Sequence, residues 1–287
     1  MFKRILACAV VVALAGWAGA EEIALKSGVT VHYDVAGPKD APPLLLLHGL
    51  GDTKRSWSLV TPELAKTHRV YAIDQRGHGK SSSPVCCYAQ ADLAYDAVSF
   101  MDAMKIERAA VVGHSLGSFV AQHLAAQYPQ RVSRVVLIGS GRTTAGTEII
   151  EWLWEQVRGV ETRVGSEFVD AWQSNPNPVD EEFLRHVKRE TADVRPHVWK
   201  SIARALMADQ SRLLREIEAP VLIVWGDKDP GFLADNQAGL RNALRNAEFK
   251  AYPNMGHNPH WEIPARIAAD LRAFLEVQET GESRMTE

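Results

Sequence analysis

The sequence predicts an α/β fold: a mostly parallel sheet wrapped by helices, interrupted late in the chain by a helical insertion. Three observations carry that expectation. Short apolar runs bounded by turn residues recur along the chain. Amphipathic runs lie between them. One long stretch, residues 141–214, contains no strand-like run at all. A short, continuously apolar run fits a strand buried on both faces. Strands of a parallel sheet are buried that way because helices cover both sides of it.

Taken in order, residues 23–25 and 29–35 are β-branched or alternating around Ser27-Gly28 and predict an N-terminal hairpin. Residues 44–47 form the first buried run, after Ala41-Pro42-Pro43. The same character returns at 70–73, 109–112, 135–138 and 221–224. Helical patterns at 57–65, 93–104 and 118–127 separate the early runs, which is the alternation that builds a parallel sheet. The chain closes with a helix at 235–245, a strand at 248–252 and a helix at 264–277, followed by a polar tail at 279–287. The insertion reads as helices at 148–157, 164–172, 181–191 and 198–208, broken at Asn175-Pro176-Asn177-Pro178. The expected organisation is therefore a leader at 1–20, a core at 21–140 and 215–278, and a helical cap at 141–214.

Composition excludes several classes. Of the 287 residues, 46% are hydrophobic and 23% charged, enough apolar mass for a sizeable core. The net charge is −3 and no long basic run occurs, so nucleic acid is not an expected partner. Phe2-Lys3-Arg4, the apolar stretch 5–17 and the small residues Ala18-Gly19-Ala20 make a secretory signal pattern. The stretch is shorter than the ~20 apolar residues of a spanning helix. It predicts export to a periplasm or the medium, with no stable membrane span after cleavage. Beyond that leader the cysteines are Cys86 and Cys87. Neighbouring Cα atoms lie about 3.8 Å apart, below the usual disulfide spacing, which leaves two readings open: a strained vicinal disulfide, or two thiols in a loop.

The chemistry is concentrated at Gly113-His114-Ser115-Leu116-Gly117. This G-x-S-x-G follows a strand and opens a helix, the context of a nucleophile elbow. The turn is tight, so the positions two before and two after the serine must be small, and the hydroxyl stands at a helix N-terminus that favours developing negative charge. A serine hydroxyl needs a base, and the base needs an orienting acid. Around such an elbow the acid precedes the histidine in the chain. Gly226-Asp227-Lys228-Asp229-Pro230 follows the strand at 221–225 and offers Asp229, with Asp227 as rival. Gly256-His257 follows the strand at 248–252, with His260 as a neighbour. All three parts fall at the C-terminal ends of strands, where sheets of this kind place their sites. The remaining histidines do not pair with Cys or carboxylates at metal-ligand spacing, and no phosphate loop occurs, so neither a metal nor a cofactor is expected.

The motifs His48-Gly49-Leu50-Gly51, Asp74-Gln75-Arg76-Gly77-His78-Gly79-Lys80-Ser81, Gly113–Gly117, Gly226–Asp229 and Gly256-His257 together resemble the α/β-hydrolase fold superfamily. The resemblance is to its branch of esterases, lactonases and carbon–carbon hydrolases with helical caps. It implies Ser115 as nucleophile, His257 as base and Asp229, the fourth residue of G-x-x-D, as acid. It implies an oxyanion hole from the backbone N–H groups of Leu50 and Leu116. His48 is expected to hydrogen-bond within its loop and hold Leu50 in place.

The cap segment holds Trp152, Trp154, Trp172 and Trp199, four of the chain's eight tryptophans. They either pin the cap to the body or line an acyl pocket. Trp152, Trp154 and Arg142 are the candidate substrate contacts. The leading expectation is hydrolysis of a small or medium apolar carboxylic ester or lactone through an acyl-enzyme. The alternatives are a carbon–carbon bond hydrolase of a dienone-type acid and a non-catalytic ligand receptor on the same fold. Oligomeric state has no signature in the sequence.

Overall fold

The computed structural model describes residues 20–276; the expected leader and the polar tail lie outside the described residues, apart from Ala20. Eight strands form one sheet: β1 Ala20–Ala24, β2 Thr30–Ala36, β3 Pro43–Leu47, β4 Arg69–Ile73, β5 Ala109–His114, β6 Val132–Ile138, β7 Val221–Gly226 and β8 Ala247–Tyr252. Their spatial order is β1-β2-β4-β3-β5-β6-β7-β8. The β1–β2 hairpin and the β2–β4 pair are antiparallel, and every later pair is parallel.

The apolar runs are continuous because both faces are covered. Leu44 and Leu46 join one core cluster, with Val112, Val136, Leu222 and Phe274. Leu45 and Leu47 join another, with Val111, Val135, Leu137 and Ile223. Successive side chains of a strand point to opposite faces, so a residue of either parity needs an apolar neighbour. Helices α1 (Thr61–Leu64) and α10 (Pro264–Leu275) cover the first face. Helices α2 (Gln90–Ala103), α3 (Leu116–Gln127) and α8 (Ala234–Ala243) cover the second.

The segment expected to be one helix at 57–65 is divided. Residues Lys54–Trp57 form a 3-10 turn and α1 starts afresh at Thr61. Pro62 supplies the cause, since it has no N–H to continue a helix and favours the first turn of a new one.

Between β6 and β7 the chain forms α4 (Glu148–Val157), α5 (Ser166–Trp172), α6 (Glu181–Asp193) and α7 (Pro196–Leu206), with no strand among these described residues. No helix among the described residues is long and apolar enough to cross a membrane. Cys86 and Cys87 are exposed and free, and Cys87 has φ 72°.

Strand order explains where the site must lie. From β3 the chain moves outward to β4, then returns to β5 on the other side of β3. The loops leaving β3 and β5 therefore diverge, and a crevice opens between them.

Candidate active site

Ser115 stands between β5 and α3 with φ 50° and ψ −119°. A non-glycine residue at positive φ is strained and persists only where its surroundings hold it there. Here its N–H donates to Ile138 O at 2.9 Å. The flanking glycines are required by contact. A Cβ on Gly113 would lie 2.2 Å from Gly117 O, and one on Gly117 would lie 2.1 Å from Leu47 O.

Asp229 is buried in the turn after β7. Its Oδ1 accepts from the N–H groups of Gly231 at 2.8 Å and Phe232 at 3.3 Å, and its Oδ2 lies 2.9 Å from His257 Nδ1. An ionised carboxylate only accepts, so Nδ1 carries the proton and Nε2 presents a lone pair. Burial acts to lower the His257 pKa. The charge and hydrogen bond of Asp229 outweigh it, so the imidazole titrates above its ordinary value. Asp227, by contrast, is exposed and accepts from Asn254 N–H at 2.6 Å as part of a turn. His260 is buried against Trp57 and His114, with Nε2 3.3 Å from Ser56 Oγ.

The loop after β3 is held peptide by peptide. Gln75 N–H donates to His48 Nε2 at 2.9 Å, so His48 Nδ1 is the protonated nitrogen, and it donates to Gly49 O at 2.8 Å. Asp52 N–H also reaches Gly49 O, at 3.2 Å. In a trans peptide the C=O and N–H point in opposite directions. Fixing Gly49 O thus aims the Leu50 N–H the other way. The next peptide is held at both ends: Leu50 O accepts from Trp172 Nε1–H at 2.8 Å, and Gly51 N–H donates to His78 Nε2 at 3.2 Å. His78 must then be neutral. Burial ensures this for both rings, pushing His48 down to about 4 and His78 to about 3. The Leu116 N–H lies in the first turn of α3, where a helix offers no acceptor of its own.

A cavity of about 300 Å³ opens over Ser115. Its wall combines Leu50, Leu116 and His257 with Phe119, Ile149, Ile150, Trp152, Trp172, Leu206 and Phe232. Asp52, Thr144, Gln173, Ser174 and Asn258 supply polar groups. No Lys or Arg occurs among the described residues of this wall.

Of the candidate substrate contacts, Trp152 borders the cavity; Trp154 and Arg142 do not. Two residues apart on a helix is about 200° of rotation, so Trp152 and Trp154 cannot share a face. Trp154 instead lies beneath the Arg204 guanidinium, 4.9 Å from its ring centroid. Arg142 lines a separate small cavity with Gln122 and His123, its side chain against Gly239. Trp172, one of the four tryptophans of the insertion but not among the candidate substrate contacts, borders the cavity as well, and so does Gln173, which the sequence does not mark; nothing in the sequence signals the loop they meet. Among the described residues there is no group of three or more His, Cys, Asp or Glu placed to hold a metal.

This architecture defines an α/β protein with a capped, strand-end crevice around a strained serine. Residues 42–168 match the family model of the alpha/beta hydrolase fold. The 2-hydroxymuconate semialdehyde hydrolase of Pseudomonas sp. (strain CF600) is 31% identical over 273 residues, spanning 90% of this chain and 93% of that one. A hydrolase from Pseudomonas aeruginosa PA01 superposes with a TM-score of 0.82 at 26% identity, over 90% of this chain and 99% of that one. The enol-lactonase of Burkholderia xenovorans LB400 shares the fold, with a TM-score of 0.79 at 24% identity over 89% of this chain and 99% of its own. The chain belongs to the alpha/beta hydrolase fold family.

Proposed function

We propose that this protein is a serine hydrolase of uncharged carboxylic esters or lactones with a small or medium apolar acyl part. The supporting observation is the wall over Ser115: apolar, and without a described Lys or Arg. A buried carboxylate is costly unless paired. The acids in the names of the carbon–carbon hydrolase relatives would bring such a carboxylate, and Asp52 would oppose it. Sequence similarity to those relatives favours the carbon–carbon reading; the charge of the cavity favours the ester reading. The strained Ser115 and the bonded Asp229–His257 pair favour an enzyme over a receptor.

In this reading Ser115 Oγ attacks the carbonyl carbon while His257 Nε2 takes its proton. The oxyanion receives hydrogen bonds from Leu50 and Leu116 N–H. Collapse expels the alkoxide, which takes the proton back from His257. Water then attacks the acyl-enzyme with His257 again as base, the oxyanion is held as before, and its collapse breaks the bond to Ser115 Oγ, which takes the proton back from His257 as the acid leaves. Asp229 keeps His257 in the productive tautomer. The segment 141–214 serves as the cap that encloses the acyl group. Export follows from the leader pattern at residues 1–20 and is tested by fractionating cells that express the full chain.

The test of the substrate class is a matched pair: an aryl butyrate and the same ester with a terminal carboxylate on its acyl chain. The neutral ester is expected to have a kcat/KM higher by about a hundredfold, the size of an unpaired buried charge partly relieved by solvent. Equal rates, or preference for the acid, would remove this reading.

A further inference from the structure

The oxyanion loop is not completed by the core alone. Trp172 and Gln173, at the end of α5 in the insertion, are consecutive in sequence and bond to it at two points. Trp172 Nε1–H donates to Leu50 O at 2.8 Å, and Gln173 Nε2 donates to Asp52 Oδ1 at 2.9 Å. Trp199 closes against the loop as well: a Cβ on Gly51 would lie 2.7 Å from its ring. Farther along, Thr53 Oγ1 and Arg55 Nε donate to Glu190, at 2.6 and 2.7 Å.

We propose that Trp172 is a positioning residue for the oxyanion hole, its indole N–H fixing the orientation of Leu50 so that the cap, by docking, completes the hole. The inference rests on the serine-hydrolase reading above. The Leu50 N–H lies in the peptide plane before Leu50, and the plane after it bears on that direction through the φ and ψ of Leu50 that join the two. His48 and Asp52 fix the plane before Leu50 from within the core. The plane after it is fixed by His78 at its N–H and by Trp172 at its C=O. Without the indole donor that second plane keeps one anchor, His78 at 3.2 Å, and the two planes joined at Leu50 can shift together about its φ and ψ. Trp172 also borders the cavity. An acyl group packed against it holds the tryptophan to the loop, which links occupancy of the pocket to the geometry of the hole. A hydrogen-bond donor matters for catalysis where it is aimed before charge develops.

Trp172→Phe retains an aromatic ring and deletes the N–H. Turnover of a p-nitrophenyl butyrate should fall about tenfold in kcat, part of the 10²–10³ lost when a hole donor is removed outright. KM should move less than about threefold, because the ground-state ester makes no strong use of the hole. The inhibition constant of an arylboronic acid, whose tetrahedral adduct with serine places an oxygen in the hole, should weaken about as much as kcat falls. That of the unreactive carboxamide should not. If the variant keeps kcat and boronate affinity within about twofold of wild type, the inference is wrong. It is equally wrong if KM, boronate and carboxamide all weaken together, which is the signature of a wall residue. Should Trp172→Phe fail to fold by circular dichroism, Trp172→Tyr, a larger ring that likewise lacks the indole N–H, decides on the same ratio of boronate to carboxamide. A wild-type protein that neither hydrolyses esters nor binds the boronate would overturn the hydrolase reading itself, and is distinguishable from either outcome.

Discussion

Two loops flank the crevice, and they are built differently. The elbow at Ser115 is held by the sheet: its strain is retained by Ile138, and its glycines are demanded by contacts between β3, β5 and α3. The loop from His48 to Thr53 is held partly by the core, through His48 and His78, and partly by residues over a hundred positions later, Trp172, Gln173 and Glu190. The proposed nucleophile is thus a local product of sheet geometry. The proposed oxyanion donor at Leu50 is a product of two packed layers. Chemistry that depends on the first loop should survive changes in the insertion, while rate and selectivity should not.

The largest effect is expected at the self-contained loop. Ser115→Ala should lower ester hydrolysis by about 10³-fold or more, as when triads lose their nucleophile. Thermal stability should hold or rise, since alanine fills the same space and only the hydroxyl is removed. Activity above a tenth of wild type, in a preparation free of host esterases, would show that the elbow carries no nucleophile.

The next effect concerns the two aspartates. Asp229→Asn presents an amide where His257 Nδ1 requires an acceptor and should cost up to about 10⁴-fold in kcat. Asp227→Asn touches only an exposed turn bond to Asn254 and should cost less than about threefold. A reversed ranking would move the acid to Asp227. The pH profile sharpens the same point. A general base works when neutral, so kcat/KM rises with pH through the His257 pKa. Because Asp229 holds that pKa above the ordinary imidazole value, the rising limb of the wild type should centre above about 6.5. In Asp229→Asn the main raising influence is gone, burial remains, and only the smaller pull of Asp52 and Glu262 opposes it, so the residual activity should rise at lower pH. A limb that stays in place would detach Asp229 from the base.

The contrast between the loops also explains what was legible in the sequence. The strands were, because burial on both faces leaves a continuous apolar run, as at Leu44–Leu47. The elbow was, because glycines two residues either side of Ser115 are a steric requirement written in adjacent positions. Pro62 divides the single helix that the pattern of residues 57–65 implies. The partners of the second loop were not legible. Trp172 meets Leu50 across a separation of 122 residues, and nothing periodic marks a tryptophan whose N–H is the part that matters. Trp152 and Trp154 stood equal as pocket candidates, because the sequence alone does not say which side of α4 looks inward.

The smallest effect expected lies at that inward side. Trp152 is stacked on Phe168 at 5.6 Å and on Trp172 at 6.2 Å, and it borders the cavity. An acyl chain gains about 0.8 kcal/mol per methylene it buries, or about fourfold in kcat/KM, until the wall stops it. Trp152→Ala removes part of the wall. The series of p-nitrophenyl esters from acetate upward should then keep rising past the length at which the wild type turns over. At short lengths the gain per methylene should shrink, because the emptied wall no longer packs against the chain. Acetate, which reaches little of the wall, should still be hydrolysed, because Ser115, His257 and Asp229 lie on the core. Trp154→Ala gives the comparison on the same helix: its indole faces Arg204, so the length optimum should stay where it is. If the optimum moves in the Trp154 variant and not in the Trp152 variant, the inward face of α4 has been assigned the wrong way round. If it moves in neither, acyl length is set by Phe119 and Phe232 at the core side of the cavity, and the insertion contributes geometry to the oxyanion loop without measuring the substrate.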